Sequence, residues 1–311
     1  MLYLDTVFMQ HALLAGTGVG LACGLVGYLT VLRAQVFLGD ALSHVAFVGS
    51  LGALVAGLAP MAGLFAATVG TGVVLGLLGQ EGSGGGRVGG RRGAADGGRR
   101  GARAGNRGAG GAQIADDIAI GALFAWILAL GALLLTVYTT SKSAGNAAGG
   151  VNVLFGSILG LSSAQAWTGL AVGIAVSVLS VLLARPLIFS TVDPAVAAAH
   201  GIPVRTLGIA FAGLMGLCAA EATQAVGSLL LLGLIAAPGG AARVLTANPY
   251  RGLVLSAAIA VVSVWAGLLL SALIPHFTPA TAILGVAGLC FVLAHVPGQV
   301  SARIAARSVT A

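Results

Sequence analysis

Phe37-Leu38-Gly39-Asp40-Ala41-Leu42-Ser43-His44 opens an apolar run that extends to residue 58, and it carries two ionisable side chains inside sequence that is otherwise hydrophobic. Read as a helix, residues i and i+4 lie on one face, so Asp40 and His44 are expected side by side. A charged group at the centre of a bilayer costs ~3 kcal/mol or more, and such groups usually line a substrate path or a packed interior. The pair therefore reads as a place where a divalent metal ion is touched in transit. The plain alternative is an intrahelical contact, with Asp40 capping the helix and His44 buried beside it.

The rest of the chain sets the context for that reading. Over 311 residues, 58% are hydrophobic, 7% are charged and 50 are glycine, with a mean hydropathy of +1.04. This lies outside the range of soluble globular proteins and predicts an all-α polytopic membrane protein. Cys23, Cys218 and Cys290 fall within apolar runs and have no C-x-x-C spacing. Neither a disulfide framework nor a thiolate metal site is indicated. The first apolar run follows Asp5 and His11 rather than a basic segment, so it reads as a span that stays rather than a cleaved signal.

Runs near twenty apolar residues, long enough to cross hydrocarbon as helices, occur at 11–32, 37–58, 61–79, 117–138, 164–184, 205–222, 226–246, 252–273 and 280–297. The count is eight or nine transmembrane helices, eight if one run is re-entrant. Basic residues favour nine. With the N-terminus outside and the C-terminus cytoplasmic, Arg33, the arginines of 87–107, Arg185, Arg205, Arg243, Arg251, Arg303 and Arg307 all fall inside. Only Lys142, of fifteen Lys and Arg, is then outside. The net charge of +7 is explained by this asymmetry and not by nucleic-acid binding.

Single segments between the runs add detail to the one domain, 1–311. Residues 80–113 are mainly Gly and Ala with seven arginines, too poor in large apolar side chains to offset their ordering entropy. They predict a disordered cytoplasmic loop whose arginines read as a solvated, positive-inside topology signal, with contact to anionic membrane lipid headgroups or RNA as the lesser alternative. Val151 to Gly160 is too short to span and reads as interfacial or re-entrant. Asp193-Pro194 suits an N-cap and first helical position, Ala195 to Ala199 favour helix, and His200-Gly201-Ile202-Pro203 supply the stop. A short cytoplasmic helix over 193–203, placed to dock a partner, is the result. Glu221 is a further carboxylate near a predicted helix end, read as a second candidate on a metal path. His11 and His276 are expected at the outer interface, and His295 near the inner end of the last span.

Several of these pieces recur in order: Gly39-Asp40-Ala41-Leu42-Ser43-His44, Asp117-x-Ala119-Ile120-Gly121, Asp193-Pro194 through Gly201-Ile202-Pro203, Gln224-Ala225-Val226-Gly227, and Ala236-Ala237-Pro238-x-x-Ala241-Ala242-Arg243. Together they resemble the permease subunit of the bacterial ABC-type zinc, manganese and iron importers, over nearly the whole chain apart from 80–113. The resemblance implies a multi-pass protein of the bacterial cytoplasmic membrane that works as a homodimer. It also implies a cytoplasmic ATP-binding subunit and an extracytoplasmic metal-binding protein as partners. By the same resemblance, Asp40 and His44 contribute to the metal path, and Asp193, Pro194, Ala199, His200 and Gly201 belong to a coupling helix resting on the ATPase. The long Gly/Arg insertion and Glu221 depart from the family pattern.

Zn²⁺ accepts imidazole and carboxylate, as do Mn²⁺ and Fe²⁺. Zinc is the expected cargo, with manganese or iron as the alternative, and no permanently bound cofactor is expected. Two such pairs facing each other in a dimer would supply four ligands. The motifs H-E-x-x-H, G-x-S-x-G and G-x-x-x-x-G-K-[ST] are absent, so ATP hydrolysis is expected on another chain. A stand-alone secondary transporter or channel for divalent metal ions is the competing reading.

Overall fold

The computed structural model describes residues 7–78, 124–140, 156, 158–228, 230–274 and 277–309; among these there are helices and turns and no strand. The Gly/Arg segment 80–113, Asp117 to Gly121, most of 151–157 and His276 lie outside the described residues.

Among the described residues ten α-helices follow one another. They are α1 (Val7–Leu32), α2 (Val36–Val55) and α3 (Pro60–Leu78), then α4 (Phe124–Thr140). After a short 3-10 turn (Ile158–Gly160) come α5 (Ser163–Val192), α6 (Pro194–Ala199), α7 (Val204–Val226), α8 (Leu231–Leu245), α9 (Pro249–Leu273) and α10 (Pro279–Val309). Seven are long and apolar enough to cross a membrane, while α4 and α8 are shorter apolar helices. Each of the nine expected runs thus contains one of these helices among the described residues. At 15 residues, α8 reaches only about 22 Å, short of the ~30 Å of hydrocarbon. It starts later than the run at 226 suggests because Gly227, at φ +91, breaks the chain's course after α7.

Helix α1 is the centre of the bundle. Apolar on every side, it is buried over most of its length, as such a helix must be. It packs against α5, α9 and α8, while α3 packs on α7, and α2 packs on both α3 and α7. Small residues set these approaches, because without a hydrophobic force between helices in lipid, close packing has to supply the contact energy. A Cβ on Gly18 would stand 2.9 Å from the Leu170 Cα of α5, and one on Gly24 would stand 2.5 Å from the Ala257 Cα of α9. Ser256 fixes the second crossing by donating its hydroxyl to the Gly24 carbonyl at 2.6 Å.

The contacts also fix direction. Ala15 lies by Gly169, and Gly18 by Gly173, so α1 and α5 run parallel. Arg243 at the end of α8 donates to the Val31 carbonyl near the end of α1. Tyr28 of α1 meets Gly252 at the start of α9, and Arg33 meets Phe211 near the start of α7. Arg33, Arg185, Arg205, Arg243 and Arg251 therefore gather at the end of the bundle that also carries α6.

Helix α5 departs from expectation in length. The apolar run stops at residue 184, yet the helix continues through Pro186 to Val192. A single missing N–H does not end a well-packed helix. Its 30 residues make about 45 Å, and some 20 suffice for the hydrocarbon. The last turns, from Arg185 onward, form a stalk beyond it.

Candidate functional site

The Asp40–His44 segment is positioned by the turn before it. Helix α1 closes with two backbone bonds, Gln35 N–H to Thr30 O at 3.0 Å and Ala34 N–H to Val31 O at 3.2 Å. This is the pattern of a Schellman cap, whose penultimate position takes left-handed backbone and usually holds glycine. Here Ala34 occupies it at φ +54, the one non-glycine residue with positive φ among the described residues. The turn reverses the chain at once, and α2 begins at Val36.

Asp40 does not cap α2. Gln35 is the N-cap residue and makes no side-chain cap bond, and Asp40 lies one turn inside. Its Oδ1 stands 3.9 Å from His44 Nε2, beyond hydrogen-bond range. The two side chains share a face as the spacing requires but do not satisfy each other. Two donors about 2.1 Å from a tetrahedral or octahedral ion stand roughly 3.0–3.4 Å apart, so a small rotation would bring the pair to chelating distance.

The surroundings are apolar. His44 is 8% exposed and meets Phe124 of α4 edge-on, with ring centroids 4.8 Å apart at 89°. Gly39 faces Met215 of α7 and Ile235 of α8. The Ser43 hydroxyl donates to the Asp40 carbonyl at 2.6 Å and so is not aimed at the pair. No group of three or more His, Cys, Asp or Glu side chains able to hold a metal occurs among the described residues. One copy of the chain thus offers two ligands.

Glu221 is not brought to the pair. It is 6% exposed and lies on the face of α7 turned towards α5 and α1, where a Cβ on Gly169 would come within 2.6 Å of its Oε1. Ala220, by contrast, packs with Ala46 of α2 and Leu64 of α3. Cys23 and Cys218 meet across α1 and α7 with sulfurs 3.9 Å apart, both fully buried, consistent with a packing role. His295 is occupied with its own helix, its Nδ1 lying 3.0 Å from the Phe291 carbonyl.

At the arginine-rich end, Asp193 joins α5 to α6. It is extended, at φ −145 and ψ 94, and its Oδ1 accepts the Val196 N–H at 3.0 Å. Six residues later the chain repeats the turn that ends α1: Ile202 N–H bonds Ala197 O, Gly201 N–H bonds Ala198 O, and Gly201 takes φ +77. His200 stacks edge-on against Phe189 at 5.9 Å, and its Nδ1 lies 2.9 Å from the Val196 carbonyl. These contacts fold α6 back on the stalk of α5. Beside them opens a groove of about 570 Å³ lined by Arg185, Pro186, Phe189, His200, Ile202 and Tyr250.

Sequence reasoning missed one side chain against the pair and another in the turn before its helix. Phe124, which covers His44, carries no local signal. Arg33, read only as a marker of topology, turns inward over the Phe211 ring at 5.2 Å from its centroid.

Comparisons with known proteins agree with this architecture. The profile of the ABC 3 transport family matches residues 5–83 and 110–297. The manganese transport system membrane protein MntC of Halalkalibacterium halodurans is 30% identical over 290 residues, covering 92% of this chain and 86% of that one. The manganese import system permease protein ScaB of Streptococcus parasanguinis is 26% identical over 252 residues, 81% of this chain and 77% of the relative. A probable iron transport system membrane protein of Haemophilus influenzae is 24% identical over 286 residues, 92% and 89% of the two chains. Among solved structures, PsaBC from Streptococcus pneumoniae in complex with Fab shares the fold at a TM-score of 0.72 and 22% identity, over 93% of this chain and 91% of that one. With its long apolar helices, its single-ended arginines and a family match over most of its length, the chain belongs to the ABC 3 transport family and is a multi-pass permease of the bacterial inner membrane.

Proposed function

We propose that the chain is the membrane-spanning subunit of an ATP-driven importer of a divalent transition metal ion, with manganese as the first candidate. The observation that carries the reading is the Asp40–His44 pair: two metal-competent side chains 3.9 Å apart on one helix face, unsatisfied by each other, within apolar packing. A second copy of the chain supplies the matching pair, so that four ligands meet the ion. Two donors per subunit hold an ion loosely enough to let it leave, as a conduit needs.

Imidazole and carboxylate are equally compatible with zinc, manganese and iron, so the residues alone do not choose. The names of the relatives, manganese for MntC and ScaB and iron for the Haemophilus protein, weigh against the zinc expected from the sequence. An extracytoplasmic metal-binding protein delivers the ion in this reading. A separate ATP-binding subunit bears on α6 and the neighbouring groove at the arginine-rich, cytoplasmic end. Glu221 has no part in the pathway.

The test is accumulation of Mn²⁺, Fe²⁺ and Zn²⁺ in membrane vesicles containing this chain, with and without its nucleotide-binding partner. ATP-dependent uptake that prefers Mn²⁺ is expected. Uptake by this chain alone would favour a secondary transporter or channel, and uptake of Zn²⁺ alone would restore the zinc reading.

A further inference from the structure

Helix α5 shows where the bilayer ends. Trp167, exposed near its start, and Arg185 are eighteen residues apart, or about 27 Å along the axis. That matches the ~30 Å of hydrocarbon, with an aromatic ring at one border and a cation at the other. Val178, Val181 and Leu182 are exposed and lie one and two turns before Arg185 on the same face of the helix. Such an apolar ridge, left uncovered by this chain within the hydrocarbon, is a surface for acyl chains. The exposed Arg185 side chain stands where the ridge meets the headgroups, and it makes no ion pair or hydrogen bond with the described residues.

At that border lies the groove of about 570 Å³ formed by α5, the turn after α6 and the start of α9. Its lining joins apolar surface, such as Phe189 and Ile202, to three polar side chains, Arg185, His200 and Tyr250. The three differ in what they offer. The guanidinium is a bidentate partner for phosphate, and the hydroxyl of the exposed Tyr250 can donate to the same group. His200 commits its Nδ1–H to the Val196 carbonyl at 2.9 Å, so Nε2 of the neutral ring accepts a hydrogen bond rather than donating one. It suits a hydroxyl, not a phosphate oxygen. Edge contact with Phe189 at 5.9 Å keeps the imidazole in place.

We propose that this groove is a headgroup site for an anionic phospholipid that also carries a hydroxyl, of which phosphatidylglycerol is the simplest. The phosphate pairs with Arg185 and takes the Tyr250 hydroxyl, the headgroup glycerol donates to His200, and the acyl chains descend over Leu182, Val181 and Val178. A basic pocket between helices at the arginine-rich end, cytoplasmic by the positive-inside rule, is a setting in which anionic headgroups are recognised. The ATP-binding subunit then meets α6 and the groove with a headgroup already seated there. The inference rests on the placement of the chain in the bilayer and not on the metal reading of Asp40 and His44.

The experiment places the full chain in phosphatidylcholine nanodiscs that contain spin-labelled phosphatidylglycerol or, in parallel, spin-labelled phosphatidylcholine, and reads the immobilised lipid by electron paramagnetic resonance. The wild type is expected to prefer phosphatidylglycerol about fivefold, the effect of one well-placed cation at the membrane surface. Arg185→Gln should lose the preference and Arg185→Lys should keep most of it; a wild-type preference in Arg185→Gln refutes the site. Arg251→Gln, at the same end but outside the groove lining, should keep the preference, and an equal loss there would mean diffuse surface charge and overturn the proposal. Ile202→Trp fills the groove while keeping every charge, so it should lose the preference, and it decides the matter should Arg185→Gln fail to insert. Free glycerol phosphate at millimolar concentration should displace no lipid; displacement would assign the groove to a soluble anion. Addition of the ATP-binding subunit should leave the preference in place, and its loss would assign the groove to that protein instead.

Discussion

Replacing Asp40 by asparagine separates a transit role from a structural one, because the side chain keeps its shape and loses its charge. Little stability rests on that charge. The carboxylate makes no hydrogen bond to His44, and an i,i+4 pair of this kind at 3.9 Å is worth about 0.3–0.5 kcal/mol. The cap of α2 is untouched, since Gln35 holds that position. Membrane abundance should therefore match the wild type. The effect on the ion is much larger: altering even an outer-sphere partner of a metal ligand costs ~10–100-fold in affinity, and here one of two ligands per subunit is removed. Mn²⁺ uptake should fall at least a hundredfold at micromolar metal, read as accumulation normalised to the amount of protein in the membrane. His44→Ala should lose uptake equally and destabilise by about 2 kcal/mol, because the edge contact with Phe124 goes as well. Normal uptake by Asp40→Asn at normal abundance would refute the transit reading.

Other substitutions test the architecture. Ala34→Gly should raise the thermal midpoint by about 2 °C, since it removes ~1 kcal/mol of left-handed strain; a lower midpoint would mean that the turn is not strained. Gly173→Val, whose side chain would collide with the Gly18 backbone, should reduce stability by about 1–3 kcal/mol. Gly70→Val, which meets nothing within 4 Å, should not, as measured by recovery of folded protein after heating. Asp193→Ala removes the cap of α6, worth ~1 kcal/mol, and should lower ATP-driven uptake with Mn²⁺ binding unchanged; normal uptake would argue against coupling through α6. Glu221→Gln should retain uptake, and its loss at normal abundance would bring Glu221 into the pathway.

The spans were legible because a bilayer demands about twenty apolar residues from any helix that crosses it, whatever its neighbours. Asp40 and His44 stood out because charge is expensive in that setting, and their shared face follows from helical spacing alone. The helix after Asp193 was legible in the same local way, through a capping carboxylate and a glycine at the stop. What was illegible depends on partners distant in sequence. Arg185 and Pro186 look like the end of a span, yet α5 continues past them because nothing beyond the hydrocarbon forbids it. The inward turn of Arg33 is decided by a ring on α7. The face that Glu221 presents is decided by where α1 and α5 pack, and its spacing from other residues carries no sign of it.

The length of α5 has a mechanical consequence. One unbroken rod connects α6, at the arginine-rich end, to Gly169 and Gly173, which lie against Ala15 and Gly18 of the central helix. At Gly173 the contact with Gly18 is backbone to backbone, which leaves no side chain there to absorb a displacement. The weak joint along the way is Pro186, where a missing hydrogen bond lets the rod flex. That same α1 ends in the turn that aims Arg33 and launches Asp40.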